Sequence, residues 1–202
     1  GISVGEDGVS HQAIEDIALM RVIPEMEVYV PCDAAETKAV IRYISTTKNP
    51  TYVRLGRSSV NDVYDEKEVF DFSKPKIIKE GKDAVIFACG AMVQSSLEAA
   101  KKLQEEGKEI SVVDVCAIKP CSEEEITKIL KQFEQVFTAE EHNVIGGLGG
   151  LIAEISTKSC PRIIHRIGVQ DCFAESGSAT ALMNKYKLDG NGVYEEVKAV
   201  LK

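Results

Sequence analysis

No stretch of this 202-residue sequence is apolar for long enough to span a membrane, and its N-terminus lacks the pattern of a signal peptide. Basic residues are in the minority: 24 Lys and Arg against 32 Asp and Glu give a net charge of −8. A general nucleic-acid binder needs basic surface for phosphate contacts, so that class is excluded, although a few arginines could still hold one phosphate. None of the six cysteines (Cys32, Cys89, Cys116, Cys121, Cys160, Cys172) forms a C-x-x-C pair, and several lie in apolar surroundings, as Cys89 does in AVIFACG. Free core thiols in a reducing cytoplasm are expected, ahead of disulfides or metal ligands. Internal repeats and low-complexity tracts are absent. The sequence also lacks an initiator Met, opening at Gly1 with GISVGEDG, and is expected to be a fragment of a longer protein.

What is present is enough apolar sequence for a real core. Two patterned blocks flank a polar stretch, SSVNDVYDEKEVFDFSKP from Ser58 to Pro75, which reads as a linker. In the first block, a glycine-rich loop leads into a helix expected from about Ser10 as N-cap, with Ile14, Ile17, Ala18 and Val22 at helical spacing. MEVYV follows as a strand. Asp33 and Glu36 then have capping-box spacing before a second helix, and TYVRL is the next strand. The second block alternates strands (AVIFACG, ISVVDVC, QVFTAE, RIIHRI) with helices, and two helices close the chain. Continuous apolar strands joined by helices imply a mostly parallel sheet covered on both faces. The first block has too few strands to stand alone, and reads as the second half of an α/β domain.

Three segments could carry chemistry. GEDGVSHQ, Gly5 to Gln12, packs two acids and a histidine between glycines that let the backbone turn sharply. A histidine in a first helical turn is held neutral by the helix dipole, and a neutral imidazole suits hydroxyl recognition. The alternative is a helix-entry loop with solvated acids. YVRLGRSS, Tyr52 to Ser59, ends a strand with two arginines, where open α/β sheets bind ligands and a guanidinium fork suits a phosphate. Surface arginines bridging to acids are the alternative. EEHNVIGGLGG, Glu140 to Gly150, is an incomplete dinucleotide fingerprint, since Ile152 stands where a third glycine is needed, and close strand–helix packing is expected there instead. No second ligand cluster supports a metal site at Glu140, Glu141 and His142. His165 lies in an apolar strand and is expected to be a core or edge residue.

GEDGVSHQ followed by the L-R-x-I-P-like LMRVIP and by PCD resembles the pyrimidine-domain segment of transketolases, with Val9 and Ser10 in place of the usual Pro and Thr. NPTYVRLGRSS resembles a later segment of that family. EEHNVIGGLGG and GVQDCFAESG resemble its C-terminal domain, so the similarity covers essentially the whole chain. It implies an α/β fold: the second half of a pyrimidine-binding domain (residues 1–60), a linker (61–75) and a mostly parallel, Rossmann-like three-layer α/β/α C-terminal domain (76–202). It implies transfer of a two-carbon ketol unit from a ketose phosphate to an aldose phosphate, with thiamine diphosphate and Mg2+. Asp7 aligns with an aspartate that hydrogen-bonds a substrate hydroxyl next to the reacting carbon and helps select sugar stereochemistry, His11 with a histidine that contacts the ketose end of the substrate and the thiamine-bound intermediate, and Arg57 with an arginine that grips the sugar phosphate. The family's diphosphate-and-magnesium motif and its activating glutamate do not occur in this sequence. The chain alone is therefore expected to be inactive, to need the N-terminal portion or subunit, and to form a homodimer. Deoxyxylulose-phosphate synthase, the β subunit of a 2-oxo acid dehydrogenase and a non-catalytic assembly module are the competing assignments.

Overall fold

Strand β4 (Ala84–Ala88) is buried at every position, because helices cover both faces of the sheet it centres. The computed structural model describes residues 1–201. In chain order it comprises a 3-10 helix (Ile2–Asp7), α1 (Asp16–Arg21), β1 (Glu27–Tyr29), α2 (Ala34–Ile44), β2 (Thr51–Val53) and β3 (Lys76–Lys79), then β4 and α3 (Met92–Glu105). These are followed by β5 (Ile110–Asp114), β6 (Ala117–Lys119), α4 (Glu123–Leu130), β7 (Val136–Asn143), α5 (Leu148–Ser159), β8 (Ile164–Val169), α6 (Ala179–Lys185) and α7 (Gly190–Val200).

The larger sheet has the order β3-β5-β4-β7-β8, parallel throughout except for β3 at the edge. Period-2 alternation splits its side chains between two cores. Ala84, Ile86 and Ala88 face α3 and α7, packing with Leu103 and Val197. Val85 and Phe87 face α4 and α5, packing with Ile126, Leu130 and Ile152. This is the expected Rossmann-like three-layer arrangement. The antiparallel strands β3 and β6 were not anticipated. Both lie at sheet edges, and their partners are remote in sequence.

Strand β6 leaves the second block and pairs antiparallel with β1, giving a three-stranded sheet of order β2-β1-β6. The two blocks therefore share a sheet. The stretch from Ser58 to Pro75 has no strand or helix, yet it is pinned: the Val63 and Tyr64 N–H groups both donate to Asp33 Oδ2. Phe72 packs edge-on to Tyr29 at 5.7 Å, and the Tyr64 ring is T-shaped to Phe70 at 4.9 Å.

Helix starts follow local chemistry where the sequence offered it. Asp33 caps α2 by accepting from the Glu36 N–H at 2.8 Å, and Ser122 caps α4 by accepting from Glu125. Glu36, however, reaches past the cap to the Cys32 N–H at 2.8 Å. The helix expected from Ser10 is not formed. Residues 9–11 are in a turn, Ala13 takes φ 41°, and α1 begins only at Asp16. A left-handed residue cannot continue a right-handed helix, so the break is decided at Ala13.

Candidate functional site

The glycine loop is shaped by a second loop from the far end of the chain. Gly5 (φ 78°) and Gly8 (φ 73°) both adopt backbone that L side chains rarely take. A Cβ at Gly8 would overlap Ser176 Oγ, and one at Gly5 would press on Gly177 and Ala179. Gln12, buried between the loops, donates to the Gly5 carbonyl (3.3 Å) and to the Glu175 carbonyl (2.9 Å). GEDG, Gln12 and AESG are thus one packed unit. Gly8→Ala is expected to destabilise the fold by about 1–3 kcal/mol, because φ 73° and ψ −163° form a region essentially restricted to glycine. Adding Ser176→Gly should relieve the overlap but not the backbone cost, so thermal melts of the double variant should recover only in part.

The structure brings two of the three sequence-derived residues into contact. Arg57 Nη1 pairs with Asp7 Oδ2, with side chains 60% and 39% exposed. His11 sits on the same loop, exposed, its Nδ1 sharing a hydrogen bond with Ser10 Oγ at 2.9 Å, and it contacts neither of the other two by hydrogen bond or ion pair. His11 precedes α1 and lies outside its first turn, so the expected placement at a helix N-terminus is not formed. A cleft of about 850 Å³ opens beside Arg54, Gly56, Ser58 and Glu141; Asp7, His11 and Arg57 lie outside its lining.

Arg54 is the residue that sequence reasoning passed over. Its Nε donates to Asp16 Oδ2 (2.8 Å), and its Nη2 to the carbonyls of Ala13 (3.0 Å) and Glu141 (2.9 Å). It ties the glycine loop, α1 and β7 together while almost fully buried. No spacing signal marks it, since its partners come from three separate elements.

The acidic run before α5 is structural. Glu140 accepts from the N–H groups of Leu148 (2.7 Å) and Gly149 (2.8 Å), closing the start of α5. A Cβ at Gly147 would overlap that carboxylate, which explains the glycine by close packing. His142 is buried and its pKa lowered, chiefly by desolvation, so it is neutral. Its Nδ1–H then donates to the Asn143 carbonyl (2.6 Å) and Nε2 accepts from the Ala18 N–H (3.3 Å). His165 lies on edge strand β8, stacked on Phe137 at 4.9 Å. All six cysteines are free thiols, four of them buried; Cys121 is half-buried and Cys172 exposed.

Burial raises the Glu140 carboxyl to about 7, against the pull of its two backbone N–H donors. The folded chain therefore holds a proton there that the unfolded chain has released. Stability from this group is full below about 4.5 and declines as pH rises through about 7, by about 3 kcal/mol in all. Denaturant titrations across that window should show the decline, and Glu140→Gln should flatten it.

Fold and sequence together define the class. The family model for the transketolase pyrimidine binding domain matches residues 1–62, and that for the transketolase C-terminal domain matches residues 73–193. The chain belongs to the transketolase family, whose complete members are thiamine-diphosphate enzymes. It is 43% identical, over all of its length and 64% of the relative's, to a protein of Methanocaldococcus jannaschii described as a transketolase C-terminal section. It is 37% identical, over 93% of its length and 58% of the relative's, to a 6-deoxy-6-sulfo-D-fructose transketolase subunit of a Clostridium species. Among solved structures, a split-gene transketolase described as an inactive β4 tetramer superposes with a TM-score of 0.88 at 42% identity, covering 96% of this chain and 62% of that one. The chain thus spans about three fifths of the length of these relatives. Among the described residues, no helix is long and apolar enough to cross a membrane.

Proposed function

We propose that this chain is the C-terminal part of a transketolase that moves a two-carbon ketol unit from a ketose phosphate to an aldose phosphate with thiamine diphosphate and Mg2+. The observation that carries this reading is the exposed pairing of Arg57 with Asp7 beside the loop that bears His11. In this reading the Arg57 guanidinium exchanges the Asp7 carboxylate for the sugar phosphate. The exchange costs little, because an ion pair so open to solvent is worth about 0–1 kcal/mol. Asp7 is then freed to accept from a sugar hydroxyl, and His11 offers Nε2 to the same substrate. Holding the phosphate remotely orients the carbonyl and raises the rate by position.

These residues do not themselves form a site for the diphosphate and Mg2+. Among the described residues, the one group of side chains arranged to hold a metal is Cys32, Glu36 and Asp114, and a thiol is the wrong donor for Mg2+. The cofactor, whose bound form supplies the carbanion chemistry, would be held by protein outside this chain. Residues 1–60 would provide substrate contacts, 61–75 the connection and 76–202 self-association, in a complex with the N-terminal portion or subunit. The inactive tetramer of the split-gene relative supports a C-terminal subunit that assembles but does not turn over alone.

Mixing the chain with the missing portion, thiamine diphosphate and Mg2+ should restore ketol transfer from a ketose phosphate to ribose phosphate, while the chain alone stays inactive. Full activity of the chain alone would overturn the division of labour. Turnover of pyruvate with glyceraldehyde phosphate instead would make the parent a deoxyxylulose-phosphate synthase. No effect of substituting Asp7, His11 or Arg57 would reduce the chain to an assembly module.

A further inference from the structure

Several elements converge where the two sheets meet. Cys32 follows β1, Glu36 lies in the first turn of α2, Asp114 ends β5, and Cys116 sits between β5 and β6; all four are buried. Cys32, Glu36 and Asp114 each bring one donor atom within 4.8 Å of the other two. Cys116 lies outside that group of three. Two carboxylates this close in a buried setting repel unless a proton or a cation lies between them. Among the described residues no Lys, Arg or His forms an ion pair with either of them, and the groups acting on them are each other, Tyr64 and the thiols.

Each carboxylate is anchored through one oxygen. Glu36 Oε2 accepts from the Cys32 N–H at 2.8 Å, and Asp114 Oδ2 accepts from the Tyr64 hydroxyl at 2.7 Å. Asp114 Oδ1 is buried with no hydrogen-bond partner. An outer contact that fixes one oxygen and leaves the other free, as at Asp114, is how proteins orient metal ligands.

We infer that Cys32, Glu36 and Asp114 form a binding site for a thiophilic divalent cation of the zinc class, with a fourth position left for water. One thiolate and two carboxylates, with water in the fourth position, suit tetrahedral Zn2+, whereas Mg2+ and Ca2+ require oxygen donors throughout. Burial, then the neighbouring carboxylates, pushes the Cys32 thiol up, so it is protonated before binding. Cation entry forms the metal–sulfur bond and sends the thiol proton, with any proton shared by the carboxylates, to water. Cys32 borders the 850 Å³ cleft, and Glu36 and Asp114 lie behind it, outside the cleft lining. An ion here would fasten α2 of the first block to β5 of the second.

The test uses Co2+ as the probe, added to the reduced, chelator-treated full-length protein without thiamine diphosphate. A cobalt–thiolate charge-transfer band saturating near ~1 equivalent is expected. Cys32→Ser should abolish the band, and Asp114→Asn should weaken Co2+ binding by at least ~10-fold. Cys172→Ser, at an exposed thiol, should leave the band unchanged. Far-ultraviolet circular dichroism confirms that each variant is folded, and the first observation needs no variant. Absence of the band in the folded unsubstituted protein, its survival in Cys32→Ser, or its loss in Cys172→Ser would overturn the assignment. In the first case the two carboxylates share a proton instead.

Discussion

Replacing Arg54 with alanine should destabilise the chain by about 3–5 kcal/mol, the range for breaking a buried ion pair on one side. The Arg54 and Asp16 side chains are only 10% and 11% exposed, and their contact is 2.8 Å. Removing the guanidinium strands Asp16, whose Oδ1 already has no hydrogen-bond partner, and leaves the Ala13 and Glu141 carbonyls without their shared donor. Tyr52, donating to Asp16 at 2.7 Å, cannot replace a full charge. Arg54→Lys should recover little, because one ammonium cannot reproduce a fork that donates in two fixed directions. Burial alone would raise the Asp16 carboxyl, but the charge of Arg54 and the hydrogen bonds of Tyr52 and Arg54 reverse this and hold it below the ordinary range. Its stabilisation is therefore present above the ordinary carboxylate value and is lost as pH falls through the depressed one. Arg54→Ala should erase that acid-side loss. Denaturant midpoints measured against pH check both effects, and a change below about 1 kcal/mol would remove Arg54 as the strut of the loop.

Arg57→Ala should leave stability almost unchanged yet lower kcat/KM for a phosphorylated donor on the order of 10²-fold in the assembled enzyme. That figure corresponds to losing about 3 kcal/mol, the contribution of one or two charge-assisted hydrogen bonds to phosphate. The fold is spared because the partner, Asp7, is itself open to water. The diagnostic comparison is with an unphosphorylated ketose, whose turnover should hardly move. An equal loss for both substrates would assign Arg57 to the shape of the loop and sink its proposed phosphate role. Arg54 and Arg57 stand three positions apart in one motif, and opposite outcomes are expected: the buried one holds structure, the exposed one holds ligand.

The central strands were legible because burial on both faces leaves an unbroken apolar run, as in AVIFA. The caps at Asp33 and Ser122 were legible because a side chain and an N–H three residues on are neighbours whatever the rest of the chain does. The helix expected at Ser10 failed for the opposite reason. Gln12 is drawn to Glu175, and Ala13 turns left-handed, so contacts from the far end of the chain overrode a local pattern. Strand β6 was missed because its partner is in the other block.

By itself, the sequence determined the alternation of strands and helices, most of their ends and the motifs that mark the family, all of which depend on interactions within a few residues. Only the tertiary structure decided that GEDG is moulded by AESG, that Arg54 binds three elements, and that Cys32, Glu36 and Asp114 meet. The physical reason is that burial and charge pairing act through space, and a linear pattern carries no record of which distant side chains the fold sets side by side.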